Sequence, residues 1–360
     1  MRLKNMLKQK IGWLEIKDDF FQTVISSRIR LARNLKGIPF TSRASERQQQ
    51  KSFDRITSAC TQSNYFKNAA ILKLKEYDKV ERQFFLERHL ISYEHSRNDG
   101  VRGLVIGDKE LLSIMINEED HLRLQGMQPG FKLPQTWDVL GAIDDELGGG
   151  LDYAFSEKIG YLTACPTNTG TGMRASVLVH LPGLVSTDEI DKVLQALSRV
   201  GMVARGLYGE GTKVMGDLFQ ISNQVTLGPT EEQIVDNLEK IVKQIISYET
   251  NSRENLFKKD KEKTKDVIYR AYGLLSNVYR ISFAEMMELL SKVRLGIYLG
   301  LDLGIPGVKK DKLNLLNELM ILAQPSHLQV SRDKKLRAPE RDIARAELIK
   351  KKIKQEEKIC

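Results

Sequence analysis

The spacing of apolar positions changes character once along the chain, near residue 230. Between about 70 and 228, short runs rich in Val, Ile, Leu and Tyr alternate with polar turns bounded by Gly, Asn or Asp. These runs are "AAILKLK", "GLVIG", "LLSIMIN", "GYLTAC", "RASVLVHL", "MVARGLY" and "LFQISNQVTLG". Their length and composition predict strands. Helical spacing interrupts them at "TWDVLGAIDDEL" and at "DEIDKVLQALSRV", residues 188–200.

Beyond 230 the period is helical almost throughout, in "EEQIVDNLEKIVKQIISYETNSRENLF", "YRAYGLLSNVYRI", "SFAEMMELLSKVRLGIYLG", "LNLLNELMILAQP" and "PERDIARAELIKKKIKQEE". The charged stretch "KKDKEKTKDV" at 258–267 either connects two helices or continues one. The pattern predicts an α+β fold, a mixed and mainly antiparallel sheet flanked by helices, followed by an all-helical C-terminal domain. The expected division is a short amphipathic lead-in over 1–20, an α+β domain over 21–254 and a helical domain over 255–360.

Composition narrows the class. A length of 360 residues fits one very large domain or two ordinary ones, and 41% hydrophobic with 29% charged residues suits a soluble globular protein. No apolar run approaches membrane-spanning length, and the first residues lack the apolar centre of a signal peptide. Cys60, Cys165 and Cys360 are far apart, which offers neither a zinc site nor a disulfide framework; a reducing cytoplasm is the expected location. The net charge of +9 raises the question of nucleic acid, but residues 331–360 alone hold eleven Lys/Arg and six Asp/Glu. That tail is mixed in sign and has no interleaved aromatics, so a solvated helix face is expected and no direct nucleic-acid partner.

The stretch "CPTNTGTGMRAS", residues 165–176, carries the first chemical signal. Gly170 and Gly172 could turn backbone N–H groups toward an anion; the same residues equally suit a tight hairpin. Arg28 and Arg30 alternate in "VISSRIRLARN" and share one face of an extended segment. Arg123, Arg174 and Arg205 stand beside acidic or glycine-rich turns. Any one of these arginines is most simply a solvated surface residue; five together fit a clamp for polyphosphate, whose oxygens pair with guanidinium forks. Neither the P-loop signature nor the H-R-D and D-F-G blocks of protein kinases occur.

The blocks "SSRIRLARN", "NEEDHLR", "CPTNTGTGMRAS" and "RGLYGEGTKVMGDLFQISNQ", in that order, resemble the phosphagen (guanidino) kinase family over roughly residues 20–250. The resemblance implies transfer of phosphate between ATP and a guanidinium nitrogen, with Mg²⁺, on that family's catalytic fold. Only 25 residues precede "SSRIR", where small-molecule members carry a helical domain, and about 100 helical residues follow. Both features, with "DYAF", "VRLGIYLG", "LNELMILAQP" and "RDIARA", resemble the bacterial branch that phosphorylates arginine side chains of proteins. For partners this implies arginine-bearing proteins, an activating adaptor, a Clp-type protease that consumes marked proteins, and a second copy of the chain in a homodimer. A kinase of a free guanidino metabolite and a non-catalytic phosphoarginine-binding adaptor are the competing readings.

Position by position, the resemblance implies that Arg28, Arg30, Arg123, Arg174 and Arg205 hold the phosphates. Ser26, Ser27, Ile29, His89, Ala175, Ser176, Val177, Leu178, Gly206, Leu207, Tyr208, Gly209 and Glu210 would line the nucleotide. Glu119 and Glu210 would grip the substrate guanidinium, and Cys165 would touch it from the side. Glu118 and Asp120 either cap the acidic turn or share the role given to Glu119. No protein-borne metal site is expected. In "RDIARA", Arg341 and Arg345 lie one helical turn apart with Asp342 beside them. That is either an exposed charge pair or, as the resemblance implies, a phosphoarginine pocket in which Ala346 leaves room.

Overall fold

In the computed structural model, residues 3–16, 23–97, 99–206 and 214–354 are described. Among these residues ten strands form: β1 Val24–Arg33, β2 Ala70–Lys73, β3 Gly103–Ile106, β4 Leu112–Ile116, β5 Leu122–Pro129, β6 Phe155–Ser156, β7 Gly160–Tyr161, β8 Met173–His180, β9 Met202–Arg205 and β10 Leu218–Asn223. Eight of them make one sheet in the order β2-β3-β4-β5-β1-β8-β10-β9, and β6 pairs with β7 in a small hairpin. Each pairing in the large sheet is antiparallel. The expected α+β fold with flanking helices is what forms.

Two central strands, β1 and β5, are absent from the apolar runs that predict the sheet. Both carry guanidinium or amide groups on one face, so their composition does not read as a buried strand even though their alternation does. The run "GYLTAC" gives only the two residues of β7. The rest of it is held in loop hydrogen bonds, such as Leu162 N–H to the Ala154 carbonyl at 2.9 Å.

The sheet has two unlike faces. Ile29, Leu31, Leu124, Ala175, Val177, Val179 and Ile221 point to one side and are fully buried. There they pack against α4 (Leu133–Gly150) and α7 (Glu231–Lys259), through Leu140, Ile143, Leu238 and Val242. Thr230 starts α7 with a reciprocal capping box to Gln233, which satisfies two N–H groups that the first turn leaves unpaired.

The remaining helices of the first part are α1 (Leu3–Lys8), α2 (Glu46–Gln62), α3 (Lys79–Glu87), α5 (Pro182–Ser186) and α6 (Ile190–Arg199). The helical region consists of α8 (Lys261–Asn277), α9 (Phe283–Tyr298), α10 (Lys309–Leu322), α11 (Pro325–Arg332) and α12 (Ala338–Ile353). The stretch 258–267 resolves into a break at Asp260, whose carboxylate caps α8 by accepting from Lys263 N–H at 3.0 Å. α7 itself runs past residue 254 without interruption. The helical region has its own core, which Trp13, Leu14, Ile25, Met127 and Leu178 join from the lead-in and the sheet. No helix of the described residues is long and apolar enough to cross a membrane.

Candidate active site

Strand register places the arginines on the second face of the sheet. Arg30 lies opposite Gln125 on β5 and Arg174 on β8; Arg28 lies opposite Met127 and Ser176; Ala32 lies opposite Arg123. Leu178 lies opposite Ser26 and Gln220, and Gln220 lies opposite Arg205 at the sheet edge. Directly opposed residues of antiparallel strands share a face. Arg28, Arg30, Arg123, Arg174 and Arg205 are therefore on one surface with Ser26, Ser176 and Gln220.

This surface is crowded with like charge. Burial, then the neighbouring guanidiniums of Arg123 and Arg174, push the pKa of Arg28 down to about 9. Burial, Arg28, Arg123 and Arg174 lower that of Arg30 as well. Guanidinium does not give up its proton in proteins, so the shifts express a standing demand for an anion. At one end of the surface His89, with a positive φ of 59°, sets its ring edge-on to Trp13 at 5.2 Å. Burial and the charges of Arg28 and Arg30 push its pKa down to about 3, so its imidazole is neutral. His89, Trp13, Ser26, Ser176 and Gln220 border one small cavity.

Several residues that the family blocks imply do not reach this surface. Ile29, Ala175 and Val177 alternate to the other face and are fully buried against the helices. Ser27 is on that side too: its Oγ donates to the Gly130 carbonyl at 2.9 Å and accepts from Lys132 N–H at 2.9 Å, fastening the entry to α4. Gly206 follows Arg205 and is buried. Leu207, Tyr208, Gly209 and Glu210 lie outside the described residues, as does Cys360.

The acidic turn separates its three carboxylates by function. The turn closes through Asn117 N–H to the His121 carbonyl at 2.9 Å. Glu118 is buried and forms an ion pair with Arg123 at 2.8 Å, and it also accepts from the Ser92 hydroxyl. Burial alone would raise its pKa; Arg123, Ser92 and His95 overcome that and hold it at about 2. Asp120 is buried and accepts from Asn34 Nδ2 at 2.6 Å and from Ala164 N–H at 2.7 Å.

Glu119 alone faces outward, into a cleft of about 390 Å³ bordered by Thr41, Gln49, Asn117 and Ala164. Its carboxyl is held above the ordinary value by partial desolvation and by the negative neighbours Asp120 and Glu118. An approaching cation would relieve that.

Of the two readings open for the glycine loop, anion-facing or tight turn, Gly170 fits the turn. Gly170 N–H donates to the Tyr161 carbonyl at 3.4 Å and is not aimed at solvent. Its φ of 112° and its contacts explain the glycine: an added Cβ would stand 2.2 Å from the Thr226 carbonyl oxygen. Gly172 is close-packed too, an added Cβ standing 2.6 Å from the Ala32 carbonyl oxygen. The loop is braced from behind by Thr226, whose hydroxyl donates to the Thr167 and Thr169 carbonyls at 2.9 and 2.8 Å. Cys165 is half-buried with its Sγ 3.0 Å from Thr167 Oγ1. Asp120, by holding Ala164, fastens the residue beside Cys165 to the residue beside Glu119. Cys60, in contrast, is fully buried in α2, and burial pushes its thiol up to about 12.

The "RDIARA" stretch lies on α12. Arg341 is half-buried, with Nη1 3.4 Å from the Leu336 carbonyl. Arg345 is buried: it donates to the Ala323 carbonyl at 2.8 Å, the Ile281 carbonyl at 2.7 Å and Asp342 at 2.6 Å. An exposed charge pair is thereby ruled out. The expected pocket is also altered, because Asp342 is paired within the chain and Ala346 is fully buried in the helical core. α12 turns this edge inward, so Ala346 supplies packing and no open space.

Among the described residues no group of three or more His, Cys, Asp or Glu side chains is placed to hold a metal ion. Two neighbours of the site, Trp13 and Ser92, carry no signal of function in the sequence, because each acts through a partner remote in the chain that no local motif reveals. Gln220 lies within a family block that implies no role for it.

Comparison with known proteins agrees with this layout. Residues 51–252 match the ATP:guanido phosphotransferase C-terminal catalytic domain, and residues 261–359 match the protein-arginine kinase McsB C-terminal domain. A protein-arginine kinase of Halothermothrix orenii is 44% identical over 98% of this chain and 99% of its own length. That of Caldanaerobacter subterraneus subsp. tengcongensis is 46% identical over 93% of this chain and 98% of its own. Among solved structures, the transition-state-analogue complex of the duplicated taurocyamine kinase of Schistosoma mansoni superposes with a TM-score of 0.60 at 28% identity. That match covers 68% of this chain and 35% of that one. A lombricine kinase gives 0.56 at 27% identity, covering 68% of this chain and 70% of its own. With a guanidinium-lined sheet face beside an acidic turn and a cysteine loop, and with relatives matched over nearly their whole length, the chain belongs to the ATP:guanido phosphotransferase family and, within it, to the protein-arginine kinases.

Proposed function

We propose that the arginine face binds the triphosphate of ATP, while the acidic turn and the cysteine loop hold the acceptor guanidinium of a protein arginine. The observation that carries this reading is the strand register that sets Arg28, Arg30, Arg123 and Arg174 together on one sheet face, where burial and then their mutual charge lower the pKa values of Arg28 and Arg30. A polyphosphate relieves that repulsion through charge-assisted hydrogen bonds. Arg205, on the same face at the edge strand, would extend the clamp. Neutral His89 and Ser26 border the cavity at the far end and suit the less charged part of the nucleotide.

An arginine side chain is protonated at neutral pH, and its nitrogen is a poor nucleophile. Glu119 is the one carboxylate of the turn without a structural duty. It would pair with the cation, align one nitrogen with the γ-phosphorus and accept the proton released as the N–P bond forms and the bond to the β-phosphate oxygen breaks. Glu210 would be the second carboxylate and Cys165 a lateral contact. The donor set fits Mg²⁺ carried on the phosphates rather than in a protein cage; bound there it would offset charge on the transferring group. The basic face supplies the remaining stabilisation.

Regulation by phosphoarginine at Arg341, Asp342 and Arg345 belongs to the same reading. Binding there has to open the Asp342–Arg345 pair, so the ligand would replace an internal contact by its own charges. Marking of proteins for a Clp-type protease, an activating adaptor, a homodimer and a cytoplasmic location are supported by the family resemblance alone.

The decisive experiment incubates an arginine-containing protein with enzyme and Mg-ATP and follows intact mass, with acid lability marking an N–P bond. Glu119→Gln should lose at least about a hundredfold in transfer, with nucleotide affinity within about twofold. Arg30→Ala or Arg174→Ala should weaken nucleotide binding instead. The opposite pattern in nucleotide titrations would overturn the assignment.

A further inference from the structure

Asn34 stands one residue past the end of β1, is 2% exposed, and belongs to none of the groups given a chemical role above. Its side chain meets two chain segments at once. Nδ2 donates to Asp120 Oδ1 at 2.6 Å and to the Leu162 carbonyl at 2.9 Å, and Oδ1 accepts from His121 N–H at 3.0 Å. The backbone carbonyl of Asn34 accepts from Ala154 N–H at 2.7 Å. Asp120 Oδ1 takes a second donor, Ala164 N–H, at 2.7 Å.

These partners include the immediate neighbours of the two groups read as gripping the acceptor. Asp120 and His121 follow Glu119; Leu162 and Ala164 precede Cys165. One amide therefore joins the acidic turn to the cysteine loop. No backbone hydrogen bond joins residues 117–121 to residues 162–165 among those described, so the join runs through Asp120 and Asn34.

We propose that Asn34 is a positioning residue that, through Asp120, sets the separation of Glu119 and Cys165 across the acceptor guanidinium. This rests on the reading that both groups face that guanidinium. The chemistry of the join is directional. An amide supplies two donors and an acceptor in one plane, and all three directions are used. Aspartate has the same shape and no donor, so at this position it would face Asp120 with like charge and the Leu162 carbonyl with lone pairs. Misplacement of about 1 Å at a reacting centre can cost about a hundredfold in rate, which is the scale on which a slack join would be felt.

The test compares wild type, Asn34→Asp, Asn34→Ser and the exchanged pair Asn34→Asp with Asp120→Asn. In the exchanged pair the amide now at position 120 could still accept from Ala164 N–H, and it could donate to the carboxylate now at position 34. Steady-state kinetics with a protein acceptor, nucleotide titration and the alkylation rate of Cys165 by peptide mass spectrometry are measured on each. Asn34→Asp should lower kcat/KM for the acceptor at least about tenfold, leave nucleotide affinity within about twofold, and alter the alkylation rate of Cys165 at least about threefold. The exchanged pair should recover part of the loss.

Asn34→Ser, which removes the Asn34 arms of the join without adding charge and leaves Asp120 held to Ala164 by a single bond, should show the same split and serves should the aspartate variant not fold. Adding Cys165→Ser should make the Asn34→Ser effect markedly smaller, since coupled residues are non-additive. Unchanged acceptor kinetics in Asn34→Ser, or equal losses in acceptor and nucleotide binding, would overturn the proposal. Glu119→Gln and Cys165→Ser assayed alongside separate the two failures: full activity in both would sink the site reading itself, whereas loss there with a silent Asn34→Ser would sink only the positioning role.

Discussion

At the residue scale, three consecutive carboxylates occupy three electrostatic environments, and only the outward one is available for chemistry. The sequence shows the acidic turn and not this division, because the partners of Glu118 and Asp120 come from residues 92, 123, 34 and 164. Glu118 makes a measurable prediction. Its folded-state pKa of about 2 lies below the ordinary 4.5, so its contribution is fully present above pH 4.5 and is lost as the pH falls toward 2. For this buried pair the shift corresponds to about 3 kcal/mol at neutral pH. Glu118→Gln should therefore melt well below wild type at pH 7. The gap should narrow between pH 4.5 and 2, and melting curves at stepped pH check it. Arg345 tells the converse story: its motif reads as surface charge, while burial of the guanidinium over the Ala323 and Ile281 carbonyls is set by how α12 docks.

At the scale of elements, alternation along the strands predicts most of the sheet, and the same alternation explains which residues of the family blocks face away from the arginine surface. A contiguous block such as residues 174–178 places Arg174, Ser176 and Leu178 on one face and Ala175 and Val177 on the other. Family blocks are contiguous in sequence, whereas a strand presents every second residue. The glycine loop is legible as a loop but not in its purpose, since the demand for glycine comes from the backbone of residue 226, distant in the chain. Gly170→Ala should strain a φ of 112° and collide with the Thr226 carbonyl. Strain of this kind costs about 1–3 kcal/mol or more. The loop should shift, with loss of acceptor phosphorylation and little change in nucleotide binding; paired kinetic and titration measurements decide it.

At the scale of the whole molecule, the sheet region and the helical region meet at Glu87. This fully buried carboxylate, at the end of α3, accepts from Ser326 N–H at 2.9 Å, His327 N–H at 3.1 Å and His327 Nδ1 at 2.8 Å. It thereby caps α11, and Phe84 stacks on the His327 ring at 4.1 Å. Glu87→Ala would leave backbone donors buried and unpaired, at about 1–3 kcal/mol each. Hydrogen exchange should show α11 losing protection while β1 and β8 keep theirs; uniform protection in all three would contradict this role. Glu87 is two residues from His89, so the same short segment borders both the small cavity beside His89 and the helical region.

The lead-in supplies a further tie. Trp13 is wedged against His89, while the Leu14 carbonyl accepts from Asn317 Nδ2 at 2.9 Å and Ile16 N–H donates to Asn314 Oδ1 at 2.8 Å. The chain thus fastens its lead-in across the seam, alongside the Glu87 contact with α11 and the Ser291 side chain of α9, which bonds His180 and Asp217. Ties spread along one seam act as stitches: any displacement of the helical region relative to the cavity beside His89 has to undo more than one, residues 11–16 among them. Asn317→Ala, which removes one of these ties and leaves the arginine face untouched, should loosen the seam at the lead-in, and small-angle scattering would register the broader distribution of shapes.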